Sequence, residues 1–281
     1  MIHLSGLVIC LTLFQSVDLR SEEALARFES VWEEVKSLEY VLAKTERLRD
    51  GTLRDEKVLV KFAKPGRFYI TGLEPRHGQE ILYDSSKRPK ELLVHPGRFP
   101  DLTLWLDIHG RIATANQHHP ISHGGYGYLW EHLGYLLRTA REEPLEVDFR
   151  HLGMTEFMEQ PVERVEIVTK NRKARSFLAR KGESLFEFAQ RVRMDPYRIL
   201  MANPTISRLS AQLRGGKSYD VPWYYASRME LFLDPKTGLI RRYRCWNERG
   251  ELYEDYQFEA IEVDPKLTQL DFDRNNPAYR F

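Results

Sequence analysis

The sequence predicts an α+β protein, with an antiparallel β-meander or half-barrel, covering helices and a small inserted βααβ module. From residue 38, and again from residue 229, short runs alternate apolar and polar residues with a period of two. Turn signals such as Arg49-Asp50-Gly51 and Asp234–Gly238 separate the runs within each set, and no helical pattern lies between them. Short strands joined by turns indicate an antiparallel sheet, because parallel strands need long crossover connections.

Two amphipathic helices are predicted to cover this sheet. We expect Ser21 to cap the first helix, whose apolar residues recur at spacings of three and four. These residues are Leu25, Phe28, Trp32 and Val35. The second helix is predicted from Leu129 to Arg141, again with a stripe of apolar residues.

The predicted strands are short and lie on both sides of the second helix. They cover residues 38–43, 57–62, 68–70, 80–83, 91–95, 147–149, 162–168, 229–233, 240–246 and 252–258. The last three follow one another through tight turns, as in a β-meander. Such a sheet can enclose either a tightly packed core or a cavity, and periodicity does not separate the two. Trp105, Trp130, Tyr256 and Phe258 are interpreted as core residues.

Residues 173–223 interrupt the meander and predict a strand, two helices and a second strand. Ser184 begins the first helix and Glu187 follows three residues later, which is the pattern of a capping box. Asp195 precedes Pro196 at the start of the second helix, where a proline loses no hydrogen bond. Asn203-Pro204 ends that helix. The host domain is thereby divided into residues 20–172 and 224–281.

This segment resembles a LysM domain, the small βααβ module that binds N-acetylglucosamine glycans. Gly182-Glu183-Ser184-Leu185 corresponds to the family's G-D-T-L, and later residues follow its L-x-x-G-x-x-L-x-I-P spacing. Those later residues are Leu213, Gly216, Tyr219, Val221 and Pro222. The resemblance implies a glycan groove formed by Gly182, Glu183, Ser184 and Leu185 on one side and Asn203, Pro204, Thr205 and Ile206 on the other. The side chains of Leu185 and Ile206 would contact the acetamide methyl. A structural module without glycan affinity is the alternative.

The host resembles an uncharacterised bacterial envelope family, domain-of-unknown-function family 1571. The similar segments are residues 223–234, 252–258 and 271–281, together with His119-Pro120-Ile121 and Gly124-Gly125. A leading helix followed by antiparallel strands is similar to the LolA/LolB-like lipoprotein-carrier fold. That resemblance implies an incomplete barrel whose concave side holds an acyl chain.

The first 16 residues contain no charged side chain, and their apolar run from Leu4 to Phe14 has the length of a signal-peptide core. We therefore expect residues 1–16 to be a signal peptide and the protein to be exported to the periplasm or cell envelope. Lipidation at Cys10 is a less favoured alternative. The sequence contains no run of 18 apolar residues, so it predicts no membrane-spanning helix.

The composition limits the classes of partner. The 281 residues include 12% aromatic residues, which argues against disorder, and the net charge of +1 argues against a general nucleic-acid binder. Residues 173–223 carry 10 Lys and Arg against 4 Asp and Glu, so the module holds +6 and the rest of the chain −5. The basic module favours an anionic partner in the envelope.

Few residues suggest chemistry. Five histidines lie close in sequence: His109, His118, His119, His123 and His132. They lack the spacing of a metal motif and are interpreted as turn or helix-cap residues, so neither a metal nor a cofactor is predicted. Gly124–Gly127 precedes the second helix without a nucleotide-binding pattern and indicates a tight start to that helix. Asp271 is expected to cap a turn in the tail.

These observations predict a non-catalytic exported protein that attaches to peptidoglycan through the LysM-like module. Its host domain would hold a lipid, a lipoprotein or an envelope partner. The alternative is a cell-wall hydrolase with catalytic residues in the host, although no catalytic motif is found. A cytoplasmic interaction protein is a third possibility if residues 1–16 are not a leader.

Overall fold

The computed structural model describes residues 18–143, 146–170 and 172–281, so the predicted signal peptide and Cys10 lie outside the described residues. The four α-helices of these residues are α1 (Leu19–Glu34), α2 (Gly125–Glu142), α3 (Leu185–Val192) and α4 (Pro196–Ala202). The strands before the module are β1 (Ser37–Arg47), β2 (Leu53–Ala63), β3 (Arg67–Glu74), β4 (Glu80–Asp84), β5 (Glu91–His95), β6 (Leu104–Asp107), β7 (Val147–Phe157) and β8 (Gln160–Thr169). The remaining strands are β9 (Arg175–Leu178), β10 (Ser218–Val221), β11 (Arg228–Leu233), β12 (Ile240–Trp246) and β13 (Leu252–Val263).

Eleven strands form one antiparallel sheet in the order β6-β5-β4-β3-β2-β1-β13-β12-β11-β8-β7. The first strand pairs with the last, with Leu42 opposite Phe258, so the two ends of the host meet in the middle of the sheet. Strand β8 pairs with β11 across the module. The predicted α+β class with an antiparallel sheet is confirmed. Within the described residues, no helix combines the length and apolar character needed to cross a membrane.

Both covering helices form, but both begin before the predicted positions. Asp18 rather than Ser21 caps α1: its carboxylate accepts from the backbone of Arg20, while Ser21 is buried inside the helix. Helix α2 begins at Gly125 instead of Leu129. A Cβ on Gly127 would lie 3.1 Å from Trp32, so the glycine allows α1 and α2 to pack closely. Helix α2 therefore begins inside the segment Gly124–Gly127, where the sequence predicts a tight helix start.

Some strands differ from the predictions. Strand β6 has only four residues and was not predicted, because no long alternation marks it. Strand β7 continues to Phe157, well beyond the predicted three residues. Trp105 is exposed on β6 and contacts the guanidinium of Arg88, so its interpretation as a core residue is wrong. Tyr256 and Phe258 are buried, as predicted. In the tail, Asp271 forms a capping box with Thr268, which confirms its predicted role.

The module has the predicted order of strand, helix, helix and strand, and β9 pairs with β10 in a two-stranded antiparallel sheet. Ser184 and Glu187 form the capping box, and Asp195 caps α4 with Pro196 in its first turn. The apolar core of the module is continuous with that of the host. Phe186 stacks on His109 of the host at 3.9 Å between ring centroids. The module is therefore packed onto the host.

Candidate functional site

A cavity of about 240 Å³ lies between the inner face of the sheet and the first half of α2. Its walls come from β1 to β6, from β11 to β13 and from the segment that precedes α2. One wall is apolar. The apolar side chains include Val58, Val60, Phe68, Ile70, Ile81, Leu92, Val94, Leu106, Leu129 and Phe258.

The inner face of the three central strands changes from apolar to polar along the strand direction. Leu42 of β1 lies between Phe258 of β13 and Val58 of β2. Two residues further along β1, Lys44 lies between Tyr256 and Glu56. After two more residues, Glu46 lies opposite Glu254. Because residues two apart share a face of the sheet, these rows give the cavity one apolar end and one polar end.

Glu254 is the centre of the polar end, and its side chain is fully buried. Its Oε1 atom lies 2.6 Å from Nδ1 of His118 and 3.0 Å from Nε2 of His119, and it accepts from the hydroxyl of Tyr225. Its Oε2 atom is buried and has no hydrogen-bond partner among the described residues. One carboxylate oxygen therefore receives three contacts while the other receives none.

Asp195 of the module reaches the same cluster from the other side. Its Oδ1 atom accepts from the backbone of Tyr197 and Arg198, which caps α4. Its Oδ2 atom accepts from the Tyr128 hydroxyl at 2.7 Å and lies 3.3 Å from Nδ1 of His119. The imidazole of His119 is therefore placed between a carboxylate of the module and a carboxylate of the host.

A second group of charges lies beside this cluster on β1 and β2. Nζ of Lys44 lies 3.3 Å from Glu46 and 3.2 Å from Glu56. Arg76 donates to Glu56 through two nitrogens, and Tyr256 donates to Glu46. Each cation that lines this part of the cavity is therefore already paired with a carboxylate.

The pKa values of these groups follow from burial and from the charged neighbours. Burial lowers the pKa of His119, but the Glu254 and Asp195 carboxylates outweigh that effect and raise it to about 10. Burial raises the pKa of Asp195, but His119 and Tyr128 bring it down to about 2. The pKa of Glu254 is also lowered, against burial, by His119 and His118. For His123 burial outweighs the more distant Asp195 carboxylate and lowers the pKa to about 4.

These values place His119 as a cation and both carboxylates as anions at neutral pH. General acid–base catalysis is most effective when the pKa of the group lies near the working pH. His119, Asp195 and His123 all lie more than about two units from pH 7. His119 is therefore a buried cation held between two buried carboxylates.

A metal ion is the other chemistry that these residue types suggest. Glu46, His118 and Glu254 offer three ligand atoms within 4.8 Å of one another. However, Nδ1 of His118 contacts Glu254 and Nε2 lies 2.9 Å from the carbonyl oxygen of Arg47. An ion would have to displace one of these contacts to reach an imidazole lone pair. The arrangement fits a hydrogen-bonded ion cluster better than a metal site.

The structure corrects the interpretation of the histidines. His118 and His119 lie in a bend before α2, but their side chains belong to the polar end of the cavity. His123 and His132 line the cavity beside Tyr128, on which His123 stacks at 4.5 Å. Only His109 lies apart, against Phe186. Glu254 could have been found from the sequence, because it is an acidic residue on the apolar face of β13 that includes Tyr256 and Phe258.

The predicted glycan residues lie on the module, away from the cavity. Gly182, Pro204 and Thr205 are exposed. Glu183 is buried and pairs with Arg191, and Ser184 is engaged with Glu187. Leu185 and Ile206 are buried, with 0% and 3% of their surface exposed, so they present little side-chain surface to a ligand in this conformation.

Asn203 has a role within the module. Its amide donates to the carbonyl oxygens of Ile199 and Asp220, and its oxygen accepts from the backbone of Asp220. The side chain thereby ties the end of α4 to β10. On the host side, Arg49 donates to the carbonyl oxygens of Pro204 and Ile206. The second edge of the predicted groove is therefore fixed by the host as well.

An open antiparallel sheet that holds an amphipathic cavity under a helix defines the class: an α+β protein with a cavity on one face of its sheet. The chain belongs to the family described as Protein of unknown function (DUF1571), whose sequence model matches residues 35–197 and 212–281. The match continues across residues 173 and 223 and is interrupted only within the module. A comparison with curated protein sequences found no match.

Several solved structures are similar over most of the chain. An uncharacterised conserved protein from Thermus thermophilus is 10% identical, with a TM-score of 0.42, and covers 91% of this chain and 93% of its own. LprF from Mycobacterium bovis is 9% identical, with a TM-score of 0.43, and the match covers 90% of this chain and 96% of LprF. A putative outer membrane lipoprotein-sorting protein domain from Vibrio parahaemolyticus is 11% identical, with a TM-score of 0.35. The match covers 91% of this chain and 98% of that domain. These TM-scores all lie below 0.5.

Proposed function

We propose that this protein is a non-catalytic, exported cell-envelope protein whose half-barrel cavity holds the acyl chain of a lipid or lipoprotein. The apolar wall of the cavity is the observation that carries the proposal. Ile70, Ile81, Val94 and Leu106 line the cavity, and they are only partly buried where they pack against the edge of the core. Leaving apolar side chains facing a cavity forgoes part of the packing energy that a filled core provides.

The size of the cavity agrees with such a ligand. An engineered apolar cavity of about 150 Å³ is large enough to bind benzene. The present cavity of about 240 Å³ is larger and is lined by aliphatic and aromatic side chains on one side. A flexible alkyl segment fits this combination, with its polar group at the opposite end.

The test is displacement of a fluorescent fatty-acyl probe, together with extraction and mass spectrometry of lipid from protein purified from its native host. Ile70→Trp should fill the cavity and weaken probe binding by about tenfold or more. Thr71→Trp is the matched control, because Thr71 is the next residue on β3 and faces the other side of the sheet. A wild-type protein that binds no apolar probe, or equal binding by both variants, would contradict the proposal.

Attachment to peptidoglycan through the LysM-like module is a second proposal. It is supported by the order of β9, α3, α4 and β10 and by the exposure of Gly182, Pro204 and Thr205. Sedimentation with purified peptidoglycan sacs tests it. Thr205→Trp should abolish sedimentation, whereas Gln190→Trp, at an exposed position of α3 outside the predicted groove, should not. Failure of the wild-type protein to sediment would leave the module with a structural role.

A further inference from the structure

We infer that the polar end of the cavity selects a ligand head that donates hydrogen bonds, namely a hydroxyl or ammonium group, over a carboxylate head. This inference rests on the proposed acyl-chain function and adds the class of head group to it. The observation that carries it is the unpartnered Oε2 atom of Glu254, a residue that lines the cavity.

An ionised carboxylate only accepts hydrogen bonds, and each of its oxygens has room for about two. Oε1 of Glu254 is contacted by His118, His119 and Tyr225, while Oε2 is buried without a partner among the described residues. A buried acceptor that loses its hydration without gaining a donor destabilises the protein, and more so when it is charged. A bound donor would recover this cost.

Three tyrosine hydroxyls and two cationic side chains around this end of the cavity are already engaged with other carboxylate oxygens. The hydroxyl of Tyr225 donates to Oε1 of Glu254, that of Tyr256 to Glu46 and that of Tyr128 to Asp195. Lys44 is paired with Glu46 and Glu56, and Arg76 with Glu56. The polar end therefore presents an unmet acceptor.

The charges around the cavity also favour a donor head over a carboxylate head. Three carboxylates line it, those of Glu46, Glu56 and Glu254, and Asp195 lies behind His119. The cations that line it are Lys44, Arg76 and His119, and each of them contacts a carboxylate. His123 and His132 also line it, and burial lowers the pKa of both, so they are neutral at pH 7. A carboxylate head would meet an ionised Glu254 with no free cation among the described lining residues to offset the repulsion.

The experiment compares ligands with the same dodecyl chain and different heads: dodecanol, dodecylamine and dodecanoate. The equal chain makes the apolar contribution cancel. Isothermal titration at pH 7 should show the alcohol and the amine binding about tenfold or more tightly than the carboxylate. Binding of all three with equal affinity would overturn the inference and leave the proposed function standing, whereas binding of none would overturn the proposed function.

Two variants assign the preference to Glu254. In Glu254→Gln the preference for the amine should disappear, because the uncharged amide has the same shape and brings its own donors. Tyr225→Phe removes a donor from the same carboxylate and should increase the preference for the amine. Thermal unfolding of both variants checks that they fold, and an unchanged preference in two folded variants would overturn the inference.

A chelator separates this explanation from a cation bound at the same oxygens. The preference should persist in EDTA, because the head group itself supplies the donor. Loss of the preference in EDTA, with recovery on addition of zinc or calcium, would assign the free oxygen to a metal ion and overturn the inference.

Discussion

Asp195 and Tyr128 share a hydrogen bond of 2.7 Å, although Asp195 starts helix α4 of the module and Tyr128 belongs to α2 of the host. The other oxygen of the same carboxylate caps α4. A change in the position of the module therefore moves a residue that lines the cavity. The side chain of Asp195 thus joins the start of α4 to the lining of the cavity.

Replacing Asp195 by Asn should destabilise the protein mainly through the lost charge. Asn is also a good helix cap, so the start of α4 is retained, but His119 loses one of its two carboxylates. Breaking a buried ion pair typically costs about 3–5 kcal/mol. Urea unfolding measures the change. Asp220→Asn, at an exposed position of the same module, should change stability by only about 0.5 kcal/mol or less.

Stability should be highest near pH 6.5, the ordinary pKa of histidine. The pKa of His119 is raised to about 10, so its contribution is complete below about pH 6.5 and is lost as the pH rises towards 10. The pKa of His123 is lowered to about 4 in the folded protein, so on acidification the unfolded chain takes up a proton on His123 before the folded chain does. Stability therefore falls as the pH drops from about 6.5 towards 4.

Unfolding free energies measured from pH 4 to pH 10 check this profile. His119→Gln should flatten the alkaline side, and His123→Gln should reduce the slope of the acid side. His132 and His109 keep part of that acid slope, because burial lowers their pKa values too. A wild-type profile that rises steadily towards pH 10 would contradict the assignment of His119.

Gly238 should be more sensitive to substitution than Gly250, although both occupy hairpin turns with φ of +70° and +74°. A Cβ on Gly238 would lie 2.9 Å from the backbone of Arg27 in α1, whereas nothing lies within 4 Å of one on Gly250. Both alanine variants bear the cost of a left-handed residue, about 1–2 kcal/mol. Thermal unfolding should show a clearly larger loss for Gly238→Ala, and equal losses would argue against the close approach of α1.

Asn203→Ala should unfold the module rather than remove a ligand contact. The substitution leaves two carbonyl oxygens and one amide without their partner in a buried position. A cost of about 2–4 kcal/mol follows from several unsatisfied groups of this kind. Hydrogen exchange of the β10 amides should increase. For this reason the exposed Thr205, rather than Asn203, is the informative position for glycan binding. Unchanged hydrogen exchange in Asn203→Ala would contradict the structural role assigned to Asn203.

The local features of the fold could be predicted because each one depends on neighbouring residues. The alternation of Val58 and Val60 locates β2, and the capping box of Ser184 and Glu187 locates α3. Strand β6 is not predictable in this way, because its four residues are too few to show a period. Ser21 is a good capping residue and so predicts a helix start, but Asp18 occupies the capping position.

The polar end of the cavity could not be predicted, because it depends on pairing between distant strands. Glu46 and Glu254 come together only because β1 pairs with β13. Asp195 joins them only because the module packs onto the host. Local patterns show that Glu254 lies on an apolar face, but they do not show which side chains surround it.

The pairing of β1 with β13 also determines the order in which the protein can assemble. Leu38 lies opposite Val263, so the central strand pair forms only after nearly the whole chain has been made. Until then the edge of β1 that β13 later covers is unpaired and remains a template for aggregation. Contacts between such distant segments are slow to form. The proposed export would therefore favour a chain that is kept unfolded until its last strand has been translocated.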